Sequence, residues 1–576
     1  MKVLFASTVL GVLFASASVA QTPAISAVVN NYSGVKPGLP NYGIAQGSIF
    51  SIYGTNLANT TTGLQSPPLQ TTLNGVSVTV SVGGTSKQAL LYYVTPSQIG
   101  AILPSSVPAG TGQITVTNNG ATSAAAQIVV VQAAFGILTL NGSGTGPAAA
   151  FDAQYNFLGL SNAANPGDTI LLWGTGLGPV PDDTQQSATS APVEVQIGGV
   201  TANVVYHGRS QYAGLDQINV VVPSGVSGCY VSLVVRSGNY VSNFSSIPVA
   251  AGSRTCSDQA TSLYGGFTSA QIQALSGKSS FTVGVLGLSK TSTSVPATVV
   301  NGITITPAST YNFDFGYAAF NRITLPPQAN PQTSLYVAQG SSYGVASIGS
   351  CTVYTVITNT STGPAPTTPT PINPGTTVAL NAGPAVNVTG PNGKKAMPFQ
   401  NGGYSAQLGG GTGPTAQPDF IPATGGPFSF TFDNGPGGPD VGSFTTQLPL
   451  SPVVWNNQSS VSTINRSQGV TVTWTGGDAS TFVNIAGTSY TVNGNQFLYG
   501  YFNCTAPATA HQFAVPAAVL LALPPSGSQT IGGVTIPLSG SLAVYSFNLA
   551  TTLTIPGIDL AYGYAYSGSS ATATYR

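Results

Sequence analysis

Charge is scarce in this chain. Of 576 residues only 13 are Lys or Arg and 13 are Asp or Glu, histidine occurs twice, and Glu194 is the only glutamate. No basic run exists, so there is no electrostatic footprint for a phosphate backbone or an anionic membrane, and no nucleic-acid partner is expected. Long apolar helices are missing too. The best internal stretch, Phe513 to Leu523, is interrupted by Pro516 and stopped by Pro524 and Pro525, so no helical membrane anchor is expected in the mature chain. No two cysteines have C-x-x-C spacing and neither histidine lies near one, which disfavours a zinc site. No motif asks for a cofactor. With Lys and Glu so few, Thr, Ser, Asn and Gln must cover the outer faces, a surface with little repulsion against self-association.

What is abundant points to strands and turns. Glycine occurs 71 times and proline 42 times, which disfavours long helices and supplies the turns that many short strands need. The class is all-β. The length predicts about three to five domains.

One phrase organises the first half. Gly47 to Ala58 reads GSIFSIYGTNLA and returns at Gly167 to Gly178 as GDTILLWGTGLG. In each copy a glycine opens a strand-forming run, an aromatic (Tyr53, Trp173) closes it, and Gly-Thr-x-Leu follows. Gly54 and Gly174 are expected to take backbone angles forbidden to other residues, and Leu57 and Leu177 to drop back onto the core. Two further landmarks keep the order. Val193 to Gly199 answers the double-glycine strand ending at Gly83-Gly84, and Gln217 to Pro223 answers Gln98 to Pro104. Residues 24 to 251 therefore read as two tandem sandwiches.

The series GTNL, NGVSVTV, LLYYVTPSQI, GTGLG, VEVQIGG and GLDQINVVVP resembles a paired β-sandwich module of secreted acidobacterial proteins, of unassigned activity. Gly-Thr-Asn-Leu after a strand is similar to the opening of TIG/IPT domains, which are immunoglobulin-like. The resemblance covers about the first 250 residues. It implies extracellular placement and an interaction role and transfers no catalytic residue. One departure is Gly100, where the module, like Asn219 here, has asparagine; a disturbed local turn is the expected result.

The remaining chain is read from composition. Met1 to Ala20 has the form of a signal peptide, with cleavage between Ala20 and Gln21. Exported, extracellular or cell-surface placement follows. The units are 1–20 (leader), 21–133 and 134–251 (sandwiches), 252–358 (a β-rich middle unit with a short helix at Phe267 to Ser276), 359–374 (a Pro/Thr linker separating two halves), 375–451 (a sandwich-like unit) and 452–576 (a β-rich, immunoglobulin-like unit). A second helix is expected over Pro516 to Leu523. Val470, Val472 and Trp474 mark one face of a strand. Four cysteines, Cys229, Cys256, Cys351 and Cys504, suit an oxidising compartment and allow three pairings. Cys229 with Cys256 is preferred, because they flank two strands joined at Ser237-Gly238-Asn239; Cys351 with Cys504 follows by elimination.

Chemistry is thinly signalled. Gly340-Ser341-Ser342-Tyr343-Gly344 has a G-x-S-x-G form after a strand-like Leu335 to Ala338, yet a nucleophile elbow needs a helix next and the sequence continues as strand. A hydrolase of Ser342 and His511, with Asp433 or Asp478, is the weakest alternative. His207 reads as a loop histidine bonded to backbone, and Asp182-Asp183 as a solvated turn rather than a calcium site. Asp433 and Asp440 bracket one glycine-rich loop without a calcium-repeat spacing. Exposed tyrosines are the better alternative: Tyr92, Tyr93, Tyr206, Tyr212, Tyr499 and Tyr501, with Phe502, could form platforms for sugar rings, although half-buried packing is the commoner fate of tyrosine in a sandwich. The sequence thus points to a non-enzymatic surface or structural interaction protein without metal or cofactor. Its partner is open, with extracellular polysaccharide or other surface proteins as candidates.

Overall fold

Period-two patterning decides which side of each strand is buried. Val76, Val78, Val80 and Val82 are buried while Ser77, Thr79 and Ser81 are half-buried. The computed structural model describes residues 21–576 apart from 257–268, 296, 301–302, 328, 341–345, 347, 360–374, 412–415, 494–495, 532–533 and 549–550. The expected leader, Ser342 and nearly all of the expected linker lie outside the described residues.

The first sandwich packs a sheet ordered Ala24–Asn30, Ile49–Thr55, Gln98–Ile102, Leu90–Val94 against one containing Ala126–Val131, Gly110–Asn118 and Val76–Val82. Phe50, Ile52, Val78, Ile99 and Ile114 fill the space between them. The next unit repeats the order. Gly136–Ile137, Thr169–Thr175, Asp216–Val221 and Val200–Arg209 are neighbours in turn, as are Ser245–Val249, Gly228–Ser237 and Val193–Ile197. Both motif strands, Ile49–Thr55 and Thr169–Thr175, lie one in from the edge.

The motif glycines act differently from expectation. Neither Gly54 nor Gly174 is among the residues with positive φ, and the left-handed positions fall two residues later, at Asn56 (54°) and Gly176 (111°). A Cβ on Gly54 would stand 2.0 Å from Ala24 O, and one on Gly174 2.3 Å from Gly136 O. Close approach of the edge strand is the constraint. Leu57 and Leu177 are fully buried. Gly100 sits within a strand and not at a turn, and a side chain there would meet the Tyr93 ring at 2.3 Å.

Beyond residue 268 one 15-stranded sheet dominates. Its path runs Cys351–Asn359, Gln496–Pro507, Thr481–Asn493, Gly540–Asn548, Leu560–Tyr575, Ser280–Val295, Ser309–Thr324 and Gly403–Gly411, then Gly393–Gln400, Ala385–Gly390, Phe428–Asp433 and Thr445–Leu450. Strands from 252–358, 375–451 and 452–576 all contribute to this sheet, and near 452 the chain leaves it for a separate three-stranded sheet. Cys351–Asn359 pairs along its length with Gln496–Pro507, and Ser280–Val295 pairs in parallel with Leu560–Tyr575. Cys351–Asn359 and Thr376–Ala379, the strands before and after residues 360–374, both belong to this sheet.

The last strands of this sheet fold back over its own inner face, packing Val388, Phe430 and Leu448 on Leu286, Phe320 and Ala561. The small sheet Val453–Trp455, Val470–Gly476, Gln512–Val515 packs Val472 and Trp474 over Val483, Ile485 and Val544. Cys229 is bonded to Cys256 and Cys351 to Cys504. Helices occur at Ser269–Ala274 and, after Pro516, at Ala517–Leu521. A third, Pro331–Gly340, replaces the strand expected at Leu335 to Ala338. Asn330 Oδ1 accepts from the backbone N–H groups of Gln332 (2.9 Å) and Thr333 (3.3 Å), with Pro331 in the first turn, and this cap decides for helix over the local strand propensity.

Candidate functional site

Most residues singled out for chemistry hold loops. Asp182 accepts from the backbone N–H and hydroxyl of Thr184 at 2.9 and 2.7 Å. Asp183 accepts from Ser105 N at 2.9 Å. Asp433 receives Asn387 and Lys394 at 2.9 and 3.0 Å, whereas Asp440 receives Asn381 N at 2.8 Å, so the two acids serve different partners. Asp478 accepts from the hydroxyls of Ser451, Ser480 and Thr481. Against the upward pull of partial burial, these bonds hold its pKa down at about 2. His207 lies within the strand Val200–Arg209 and not in a loop, and its Nδ1 stands 3.1 Å from the Thr189 hydroxyl instead of a backbone group; burial lowers its pKa. His511 is exposed in a left-handed conformation (φ 54°) after the turn 508–510.

The aromatic candidates divide. Tyr92 donates to Ala213 O, Tyr93 OH accepts from Gln98 Nε2 at 2.7 Å, and Tyr206 donates to Arg209 O at 3.3 Å, all packing roles. Phe502 is fully buried in a core and forms no platform. Tyr212 is 52 % exposed. Tyr499 and Tyr501 point to the opposite face from Phe502 and are half-buried.

That opposite face is the candidate site. Leu286, Leu288, Phe320 and Val544 point into the two cores, so the alternate positions of the same strands face outward. Register places Thr505, Asn484, Tyr545, Gly568, Thr291 and Phe313 in one row, and Pro507, Phe482, Phe547, Tyr566, Ser289 and Phe315 in the next. Tyr564, Gly287 and Tyr317 make a third. No Asp, Glu, Lys or Arg stands in these rows. The charge of these strands lies on the other side, where Lys290 is buried between Asp314 and Asp419.

Within this face runs a groove. Ser280–Val295 lies between Ser309–Thr324 and Leu560–Tyr575, and between Val285 and Val295 its outward residues are Gly287, Ser289, Thr291 and Thr293. The strands beside it carry Phe313, Phe315 and Tyr317 on one side and Tyr564 and Tyr566 on the other. The walls stand two strand spacings apart, about 10 Å. Phe313 is 42 % exposed and the other four are half-buried. Phe313 and Phe315 lie 6.2 Å apart at 16°, and Tyr564 and Tyr566 6.3 Å apart at 18°. A Cβ on Gly287 would come within 2.8 Å of Tyr564 Cζ, so that ring leans across the glycine. The cleft at Gly287, Ser289, Phe315, Tyr317, Tyr564 and Tyr566 holds about 240 Å³. One end is stopped where Val285 and Tyr562 pack with Leu335 and Tyr336, and at the other Tyr311 is exposed. The sequence signal for the walls is aromatic alternation at Tyr311, Phe313, Phe315, Tyr317 and at Tyr562, Tyr564, Tyr566.

A second buried constellation ties the two N-terminal sandwiches together. Arg209 Nε is 2.7 Å from Asp216 Oδ1, and Arg209 Nη2 donates to Gly47 O at 2.8 Å. Asp216 Oδ2 accepts from Gly176 N and Leu177 N at 2.7 and 2.8 Å. Thr175 Oγ1 accepts from Ile49 N at 2.8 Å across the same junction.

Fold and site together define an all-β protein with immunoglobulin-like sandwiches. The IPT/TIG domain model matches residues 35–130. No curated protein matches the chain. Among solved structures, the plexin A4 extracellular region is similar at 12 % identity over 39 % of this chain and 18 % of that one, with a TM-score of 0.16. The titin Ig tandem A164-A165 is similar at 8 % identity over 36 % and 91 %, with a TM-score of 0.11. The Bacteroides ovatus mixed-linkage glucan utilization locus protein SGBP-B, in complex with a heptasaccharide, is similar at 10 % identity over 80 % and 91 %, with a TM-score of 0.11. The chain thus spans under a fifth of the plexin region.

Proposed function

We propose that this is an exported, non-catalytic interaction protein in which the sandwiches are scaffold and the outward face of the large sheet meets the partner. The carrying observation is the part of that face over Leu560–Tyr575, Ser280–Val295 and Ser309–Thr324, which is aromatic, half-exposed and free of charge in these rows. Such a surface loses little on desolvation and gains by apolar contact. Two disulfides fit an oxidising compartment, and the IPT/TIG match agrees with a recognition module. Residues 134–251 form a second module of the same kind, and the buried Arg209–Asp216 junction fixes the pair as one body. No helix among the described residues is long and apolar enough to cross a membrane. A second reading, carbohydrate binding, is favoured by the aromatic groove.

The test is sedimentation of purified Gln21 to Arg576 with intact cell envelopes. Retention is expected, and it should fall when Phe315 and Tyr566 are both changed to serine without change in melting temperature. Equal retention of the double variant would overturn this assignment of the surface.

A further inference from the structure

We propose that the groove over Ser280–Val295 binds a neutral polysaccharide chain. This rests on the reading of the outer face as the recognition surface and names its ligand class. A sugar ring offers apolar C–H faces and a rim of hydroxyls. The groove presents the complement: Phe313, Phe315, Tyr564 and Tyr566 supply flat apolar walls, while Ser289, Thr291 and Thr293 line the floor with hydroxyls. Ser289 Oγ is only 3.5 Å from Phe315 O, and Thr293 Oγ1 accepts from Ser570 Oγ at 3.0 Å, so these hydroxyls are held by weak or hydroxyl partners that a sugar can replace or join. The pairs of near-parallel rings repeat along each wall at 6.2 and 6.3 Å, which suits a chain more than a single compact ligand.

Charge selects against other occupants. An anionic glycan, a phosphate or an acidic peptide would bury its charge with no cation in any of the three rows. A second copy of this chain would need an apolar floor to match the walls, and the floor is glycine and hydroxyl. One end is stopped by Tyr562 and Val285 beneath Leu335 and Tyr336, and the other is open at Tyr311, so the chain enters from the Tyr311 end.

The experiment is affinity electrophoresis of full-length mature protein through gels containing a neutral β-glucan or galactomannan, with a polyuronate gel as the charged counterpart and envelope sedimentation run in parallel. Retardation is expected in the neutral gels and not in the polyuronate. Tyr566→Ala should weaken it about ten-fold, Tyr566→Phe should retain most of it, and Ser289→Leu, which fills the floor and leaves both walls intact, should abolish it. Unchanged melting of Ser289→Leu separates blockage from misfolding. Retardation insensitive to these substitutions, equal retardation by polyuronate, or none in any neutral gel would overturn the proposal. In the last case, envelope retention that still depends on Phe315 and Tyr566 leaves the interaction reading standing, and its insensitivity sinks both.

Discussion

Arg209 and Lys290 are buried cations in a chain with few of them, and each faces a carboxylate that also accepts two consecutive backbone N–H groups. Asp216 takes Gly176 and Leu177; Asp314 takes Phe420 and Ile421 at 2.6 and 2.8 Å. A carboxylate so placed fixes a chain reversal while the cation balances its charge. Removing one partner strands the other in the interior. Arg209→Ala is expected to destabilise by about 3–5 kcal/mol, read by urea unfolding at neutral pH. Asp478 makes a separate, pH-dependent contribution. Its folded pKa of about 2 lies below the ordinary carboxylate value of about 3.9, so its stabilisation is complete above the unfolded pKa and disappears as pH falls through the folded one. The urea midpoint should therefore drop between about pH 4 and pH 2, and Asp478→Asn should drop less over that window while starting lower at pH 6.

At the scale of single elements, sequence pattern and structure agree wherever side chains alternate cleanly. Val76 to Val82 and Val470 to Trp474 are strands for the reason visible in their residues. The strand Ser280–Val295 is hard to read in the sequence because its later outward positions carry Gly, Ser and Thr, which look like turn composition; those residues are the groove floor, and the feature that makes the site also hides its strand. The groove itself was not legible, since its walls come from residues 309–324 and 560–575 and only register brings them to either side of one strand. Helix Pro331–Gly340 was missed although Asn330-Pro331 is a start signal, because Leu335 to Ala338 alone looks like strand. Asn330→Ala should cost about 1 kcal/mol, measured by thermal unfolding. Gly54→Ala should cost about 1–3 kcal/mol, since its methyl would collide with Ala24 O and displace the edge strand; hydrogen exchange should quicken first in Ala24–Asn30.

At the scale of the whole molecule, the disulfide Cys351–Cys504 joins the chain before residues 360–374 to the chain after them. Cleavage at a protease site engineered into 360–374 should leave one band on a non-reducing gel and two on a reducing gel. The reduced pieces should still co-elute in size exclusion, held by the sheet they share. The parallel pairing of Ser280–Val295 with Leu560–Tyr575 has a further consequence, for biogenesis. Synthesis at about 5–20 residues per second delivers the earlier strand well before its partner. During that interval a long strand edge rich in Thr and Ser waits unpaired, open to neighbouring chains as much as to its own. The groove over Ser280–Val295 exists only once Leu560–Tyr575 has paired beside it, so the groove forms at the last step of the sheet's assembly.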